Sequence, residues 1–514
     1  MLRILGSRRR LCNGLTRRDL LTVGGLGLLG LSASDLAATE DGRLESERAK
    51  KRGFGQARAC ILLYLYGSPS QLELFDMKPA APLDVRGELK PIASSLAGLE
   101  VCEYLPRTAR VMDRVTVVRS LTHAYPQHSI SFALTGVPAP DGALDANPRD
   151  PRHWPFLGSV VSYLRDRTQD TGRSSVPDNL ALPFPISSKR PAFRYAGFQP
   201  AFLGSGYAAI WTEFRGQGTQ HVVRPAYGNG GYWEGKDPYL GIEPACRFEI
   251  SPDDGTLPQE ALVQGRVAEA APAMTLEGLE VRRSLLEQFD AARSDLENTL
   301  AGRALSRHQE LAFNLLANER CRLALDVTRE TATVREAYGM TLFGQATLTA
   351  RRLIEAGCRF VTVVWDEYGV HNTAWDTHAQ HFQRMKGELL PALDAAYATL
   401  IRDLEERGLL DETLVLCISE HGRTPRVNNA PGGGRDHWSG CYTNWFAGGG
   451  IARGRVIGRS DKIGSSPVER PLSPKDILAT VYYLLGFDAK TTLRDRLDRP
   501  IPLSGGEIVG EMMG

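Results

Sequence analysis

Five short, unbroken apolar runs punctuate this chain, and each ends in turn-forming or polar residues. The first, Ala59-Cys60-Ile61-Leu62-Leu63-Tyr64-Leu65-Tyr66, closes on Gly67-Ser68-Pro69. Val115–Val118, Phe360–Trp365, Thr413–Ile418 and Tyr442–Phe446 follow, the last stopped by Gly448-Gly449-Gly450. Runs of this length without polar alternation predict strands buried on both faces. Between them the apolar period lengthens to that of a helix. Residues 340–356 form one such segment before Gly357. Residues 379–407 form another, with Leu389, Leu390, Leu393, Tyr397, Leu400, Ile401 and Leu404 on one face and Gly408 as its stop. A last helix starts at Ser473-Pro474-Lys475-Asp476, where Ser caps, Pro takes the first helical position and Asp faces the positive end; it stops at Gly486.

Strands alternating with helices imply an α/β fold, with a mostly parallel central sheet flanked by helices on both faces. Ligands of such sheets bind at the carboxyl ends of the strands. Two stretches break the alternation. Residues 275–338, rich in Leu, Glu, Arg and Ala, read as a helical-hairpin insertion. Residues 177–270, rich in Gly and Pro, read as an insertion or lid with little regular structure. A single domain over 58–510 is expected, preceded by a charged linker at 39–57.

Composition adds little until the N-terminus is considered. The chain has 514 residues, 42% hydrophobic and 24% charged, which is ordinary globular material. Net charge is +1 and no basic tract interrupts the body, so nucleic acid is not an expected partner. The first 38 residues differ. Thr16-Arg17-Arg18-Asp19-Leu20-Leu21 leads into an apolar run that ends at Leu31, and Leu36-Ala37-Ala38 supplies a small-residue exit. This is the pattern of a secretory signal of the twin-arginine type, which exports folded proteins to the periplasm or cell envelope. The run is too short to span a bilayer as a helix, so membrane attachment is expected only if the segment is retained. The cysteines form no Cys-x-x-Cys, which argues against a zinc ribbon or c-type haem. Cys60, Cys358 and Cys417 lie in or beside strand runs and read as small buried hydrophobes.

Histidine placement carries the chemistry. Seven of the ten fall just after a predicted strand or in its following loop: His123 and His128, then His371, His378 and His381, then His421 and His437. In a parallel sheet those points converge on one edge. Carboxylates accompany them, in Trp375-Asp376-Thr377-His378, Glu420-His421 and Asp436-His437. Imidazole and carboxylate without thiolate suit a divalent ion, zinc or manganese above calcium. Arg423 has two readings: a guanidinium fork for phosphate or sulfate oxygens, or a salt bridge to Glu420 or Asp436. Ser129 also has two, as a nucleophile at a helix N-terminus or as a plain helix cap. Gly432-Gly433-Gly434 lets the chain turn back so that Asp436-His437 faces Glu420-His421.

Several of these stretches taken together resemble a known family. They are Gly67-Ser68-Pro69-Ser70-Gln71-Leu72-Glu73-Leu74-Phe75-Asp76, Leu134-Thr135-Gly136, Trp375-Asp376-Thr377-His378, Glu420-His421-Gly422-Arg423-Thr424-Pro425 and Gly434-Arg435-Asp436-His437-Trp438. In this order, over nearly the whole chain, they resemble the bacterial domain-of-unknown-function family 1501, whose members are often exported by a twin-arginine signal. That family is similar to the alkaline phosphatase and sulfatase superfamily. The resemblance implies an alkaline phosphatase-like sheet with a divalent-metal site at its carboxyl edge. It sets Glu420-His421-Gly422 against the superfamily's Asp-His-Gly, His437 against its later lone histidine, and Asp376 with His378 against its earlier ligand pair, His381 or His371 being alternatives.

Two departures from that pattern matter. The superfamily's carboxylate at the end of the first strand is missing, since Tyr66 leads into Gly67-Ser68 and the nearest acids are Glu73 and Asp76. The cysteine that sulfatases convert to formylglycine is also missing; counting back from Gly136 gives Pro126, with His128-Ser129-Ile130 following. Formylglycine chemistry is thereby excluded, and a single metal, or a site reworked around His123 or His128, is expected. The resulting expectation is a metal-dependent hydrolase of phosphate or sulfate esters acting on an anionic small molecule or polysaccharide. Its metal ligands would be Asp376, His378, Glu420, His421, Asp436 and His437, with Ser129, His128 and Arg423 catalytic. The alternative is a non-catalytic metal-binding or cell-envelope protein of the same fold.

Overall fold

All five apolar runs are strands of one sheet. A computed structural model describes residues 53–514, apart from 126–127, 129, 140–141, 169–175, 190–193, 226–231, 252, 254, 256–317 and 370–371. The expected signal at 1–38, most of the linker at 39–57, Ser129, His371 and most of the expected helical hairpin lie outside the described residues. Nine strands build the sheet: β1 (Ala59–Leu65), β2 (Val115–Leu121), β3 (Asn179–Leu182), β4 (Ile210–Arg215), β5 (Arg247–Ile250), β6 (Phe360–Trp365), β7 (Thr413–Ile418), β8 (Tyr442–Ala447) and β9 (Arg455–Ile457). Their order is β9-β2-β8-β7-β1-β6-β3-β4-β5. Five neighbouring pairs are parallel; only β8 and β5 run against the rest.

β1 sits at the centre between β6 and β7, in register with both, Leu65 facing Trp365 and Tyr64 facing Ile418. Every residue of β1, β6 and β7 is buried, so both faces of the sheet's centre are covered. β6 shows by what. Its Phe360 meets Phe156, at the start of a helix over Leu157–Arg167, while its Trp365, on the opposite face, meets Phe343 of a helix over Leu342–Ala356. The second of these is capped by Thr341 and stopped by Gly357 in the left-handed conformation, as its sequence predicts.

Two expectations are revised. The described residues of 177–270 are not irregular: they supply β3, β4 and β5 and a long two-stranded ribbon, Gly218–Pro225 with Tyr232–Ile242. Their strands are short or two-sided, and glycines and prolines interrupt the alternation that would announce them. Residues 379–407 are not one regular helix. A turn of π-helix, Met385–Leu389, separates His381–Arg384 from Leu390–Glu406. The π turn ends just before Pro391, which has no N–H to continue the regular ladder. At the C-terminal end of the expected helical hairpin, the described residues form two short helices, Glu319–Leu325 and Ala332–Tyr338, capped by Asn318 and Thr331. All seven cysteines among the described residues are free and buried. No helix among them is long and apolar enough to cross a membrane.

Candidate metal centre

Strand direction brings four segments to one edge of the sheet. β1, β2, β6 and β7 all finish there, and β8 begins there because it runs antiparallel to β7. Residues 419–441 therefore leave the edge and return to it. A two-residue ladder inside that loop pairs Gly422 with Trp438 and Arg423 with His437, which fixes His437 across from the strand end. The packing is close. A Cβ on Gly434 would lie 1.7 Å from the His378 carbonyl oxygen, and one on Gly67 would lie 2.4 Å from the Asp376 nitrogen. Gly67 also has a φ of +88°, which a side chain would disfavour.

The imidazoles are held from behind. His128 Nδ1 lies 2.9 Å from Glu420 Oε1. His378 Nδ1 lies 2.6 Å from Asp436 Oδ1. His421 Nδ1 lies 2.8 Å from the Gly422 carbonyl. An ionised carboxylate and a carbonyl only accept, so Nδ1 carries a proton in each contact and Nε2 is the nitrogen left to face the centre. The Nε2 atoms face inward. His128 Nε2 is 3.4 Å from Asp376 Oδ2, His378 Nε2 is 2.9 Å from Asp376 Oδ1 and 3.1 Å from His437 Nε2, and His437 Nε2 is 3.2 Å from Asp376 Oδ1. His421 Nε2 is buried and makes no hydrogen bond among the described residues. Two overlapping trios result, His128-His421-His437 and Asp376-His378-His437, with one donor atom per residue and all donors of a trio within 4.8 Å of one another. An orphaned buried imidazole nitrogen beside converging N and O donors fits a divalent ion, and three of the imidazoles have the fixed Nδ1 partners usual for metal-bound histidine.

Electrostatics separate the imidazoles. Burial, followed by the charges of His128 and Arg423, drives the His421 pKa well below its ordinary value, so the ring is neutral. Burial also lowers His437. For His128 burial acts in the same direction but is outweighed by Asp376 and Glu420, and the pKa rises to about 9. Burial would raise Asp376, yet Arg423 and then His128 hold its carboxyl well below the ordinary range.

The sequence-predicted residues fall into three groups. Asp376, His378, His421 and His437 come together, joined by His128. Glu420 and Asp436, expected as donors, stand one layer back. Glu420 is fully buried and accepts from the Tyr64 hydroxyl at 3.0 Å and the Gly67 amide at 2.8 Å besides meeting His128. Arg423 faces neither of its expected acid partners. It is fully buried, donates to the carbonyls of Ser68, Arg435 and Gly67, and pairs with Asp376 at 2.5 Å. The carbonyls left behind by the strained turn at Gly67-Ser68 claim its fork. His381 points away from the cluster, toward Glu73. His123 Nε2 lies 2.8 Å from the Glu420 carbonyl. Glu73 and Asp76, the nearest acids to the missing first-strand carboxylate, pair instead with Arg435 and with Lys78. Tyr64 was not anticipated. Its one signal is a polar tip in an otherwise aliphatic run.

A family model described as "Protein of unknown function (DUF1501)" matches residues 57–513. No curated protein matches the chain. Solved structures similar to it include Ps i-CgsB in complex with k-i-k-neocarrahexaose, with 11% identity, a TM-score of 0.36 and coverage of 84% of this chain and 72% of that one. Another is the PsFucS1 sulfatase from Pseudoalteromonas sp., with 11% identity, a TM-score of 0.34 and coverage of 88% and 71%. A third is the phosphonate monoester hydrolase SpPMH from Silicibacter pomeroyi, with 11% identity, a TM-score of 0.33 and coverage of 88% and 76%.

Proposed function

The chain belongs to that family of unknown function, and from its donor geometry we propose an exported, metal-dependent hydrolase of phosphate or sulfate esters. One observation carries the reading: the fully buried His421 keeps an unpartnered Nε2 in a trio with His128 and His437, and His437 also belongs to a second trio with Asp376 and His378. A divalent ion, zinc or manganese, supplies Lewis acidity toward an ester oxygen and makes water nucleophilic near neutral pH. In this reading Asp376, His128, His378, His421 and His437 hold the ion. Glu420 and Asp436 fix the tautomers of His128 and His378, and Arg423 fixes Asp376. Ser129, next to His128 in sequence, is the proposed alternative nucleophile to water. The substrate class is an anionic ester, carried on a small molecule or a polysaccharide. Export rests on Arg17-Arg18 and the apolar run after them.

Arg423 favours a second reading, a metal-binding protein without turnover. Its guanidinium is committed to internal acceptors, so it is not the cation that would steady an ester's charge. Elemental analysis of the purified protein, beside a His421→Ala/His437→Ala double variant, comes first. Near-stoichiometric metal that the variant loses supports the centre, and no uptake after incubation with zinc and manganese overturns it. Turnover of a phosphate and sulfate ester panel by the metal-loaded protein then separates the hydrolase from the non-catalytic reading.

A further inference from the structure

Behind the proposed metal donors lies a second polar cluster that takes no part in ligation. Thr377 stands between Asp376 and His378, but its hydroxyl turns the other way and meets His381 Nδ1 at 2.7 Å. His381 Nε2 lies 3.2 Å from Glu73 Oε2. The other oxygen of Glu73 accepts from Arg435 Nη2 at 2.6 Å and Nε at 3.1 Å. Arg435 immediately precedes Asp436-His437, and its backbone amide donates to the Thr377 carbonyl at 3.1 Å. Thr377–His381, Glu73–Arg435 and Arg435–Thr377 are hydrogen bonds, and the 3.2 Å approach of His381 Nε2 to Glu73 Oε2 closes the ring. Thr377, His381, Glu73 and Arg435 all lie at 1% exposure or less.

The direction of each bond is fixed. Burial would raise the Glu73 pKa, but Arg435 and His381 lower it to about 2, so Glu73 is an acceptor only. His381 is kept neutral by burial. Its Nε2 therefore carries the proton toward Glu73, and its Nδ1 accepts from the Thr377 hydroxyl. Arg435 also donates to the carbonyls of Thr424, Pro425 and Val85, which ties the ring to the 419–441 loop and to the segment after β1.

We propose that Thr377, His381, Glu73 and Arg435 form a polar brace that sets the separation between the Asp376-His378 arm and the His437 arm of the metal centre. The four are positioning residues. A buried ionic ring is a poor way to gain stability alone, since apolar packing of the same volume serves that purpose at least as well. Directional bonds between the backbones that carry the donors fix distance and orientation, which apolar packing controls less tightly.

The inference rests on the metal-centre reading, and cobalt(II) titration of the full chain distinguishes the two. Wild type should bind cobalt and give a visible absorption band. Thr377→Val removes the hydroxyl without stranding a charge. It should keep the wild-type near-ultraviolet circular dichroism, bind cobalt about 10-fold more weakly and shift the band. Thr377→Ser, which keeps the hydroxyl, should restore both. Glu73→Gln should act in the same direction; should it fail to fold, the threonine pair decides. Wild-type affinity and an unshifted band in Thr377→Val overturn the brace while leaving the centre intact. Absence of cobalt binding in wild type overturns the centre and the brace with it.

Discussion

Two buried arginines make different neighbourhoods in this molecule. Arg351, on the helix over Leu342–Ala356, meets Asp403 at 3.0 Å, Glu355 at 2.5 Å and Glu330 at 2.9 Å. Arg352 and Arg407 share those carboxylates, so three acids face three arginines. At the sheet edge Arg423 contacts one acid, Asp376, and around them stand four imidazoles, His128, His378, His421 and His437. His378 Nε2 and His437 Nε2 approach to 3.1 Å and share one oxygen of Asp376, while His421 Nε2 has no partner among the described residues. Both clusters are charged and at least half-buried around a buried arginine. Only one gathers metal-ligating nitrogens and oxygens within 4.8 Å of one another around an unpartnered imidazole nitrogen, and that marks a ligand site better than burial or charge does.

The sharpest way to break this contrast is to open the balanced cluster. Arg351→Met removes the guanidinium that all three carboxylates share and leaves them Arg352 and Arg407, which should cost ~3 kcal/mol of stability in chemical denaturation. Metal uptake per folded molecule should not change. A matched loss of metal binding would mean that the helical cluster supports the sheet edge and that the two are one system.

Acid should probe Glu73, which resembles the Arg351 partners although it stands behind the metal centre. Its pKa is lowered from 4.5 to about 2 in the folded protein. The carboxylate therefore adds stability above pH 4.5 that is lost as pH falls toward 2, about 3 kcal/mol for a shift of this size. Urea midpoints across that range should show the loss in wild type and a flatter limb in Glu73→Gln.

His421→Leu tests the unmet side. The change removes a buried nitrogen without a partner together with the Nδ1 bond to the Gly422 carbonyl, so metal-free stability should fall by no more than about 1 kcal/mol. Metal affinity should fall ~100-fold, about 2.7 kcal/mol. Thermal unfolding with and without zinc reads both. A large stability loss without metal would make His421 an ordinary core histidine.

The parts of this arrangement that could be read from sequence are those set by composition along a single strand. β1, β6 and β7 are apolar throughout because helices cover both faces, and their runs are visible without any partner. β3 has four residues and β4 mixes Thr212 and Glu213 with Trp211 and Phe214, so neither stands out from the Gly- and Pro-rich stretch around it. The convergence of histidines was legible because strand ends in a parallel sheet share an edge. Which atoms face inward was not. The roles of Glu420 and Asp436 depend on which nitrogen of a distant histidine they meet. The direction of Arg423 depends on carbonyls freed at Gly67-Ser68, a turn 355 residues away in sequence. Spacing along the chain carries no record of either.

Asp436→Asn should have the smallest effect, and it separates charge from shape. Asp436 is about half exposed and is also held by Asn428 Nδ2 at 3.2 Å, so its loss should leave stability unchanged. Asparagine keeps an oxygen that can accept from His378 Nδ1, which preserves the tautomer and removes only the negative charge behind the ring. Metal affinity should fall ~10-fold, read by competition with a chromophoric chelator. Glu420→Gln, at a fully buried acceptor of three donors, should weaken binding more. Equal effects at the two sites would show that the carboxylate charge alone matters. A larger effect at Glu420 would show that the hydrogen-bonded enclosure of His128 matters too, which is the feature that sets this cluster apart from the charge-balanced one around Arg351.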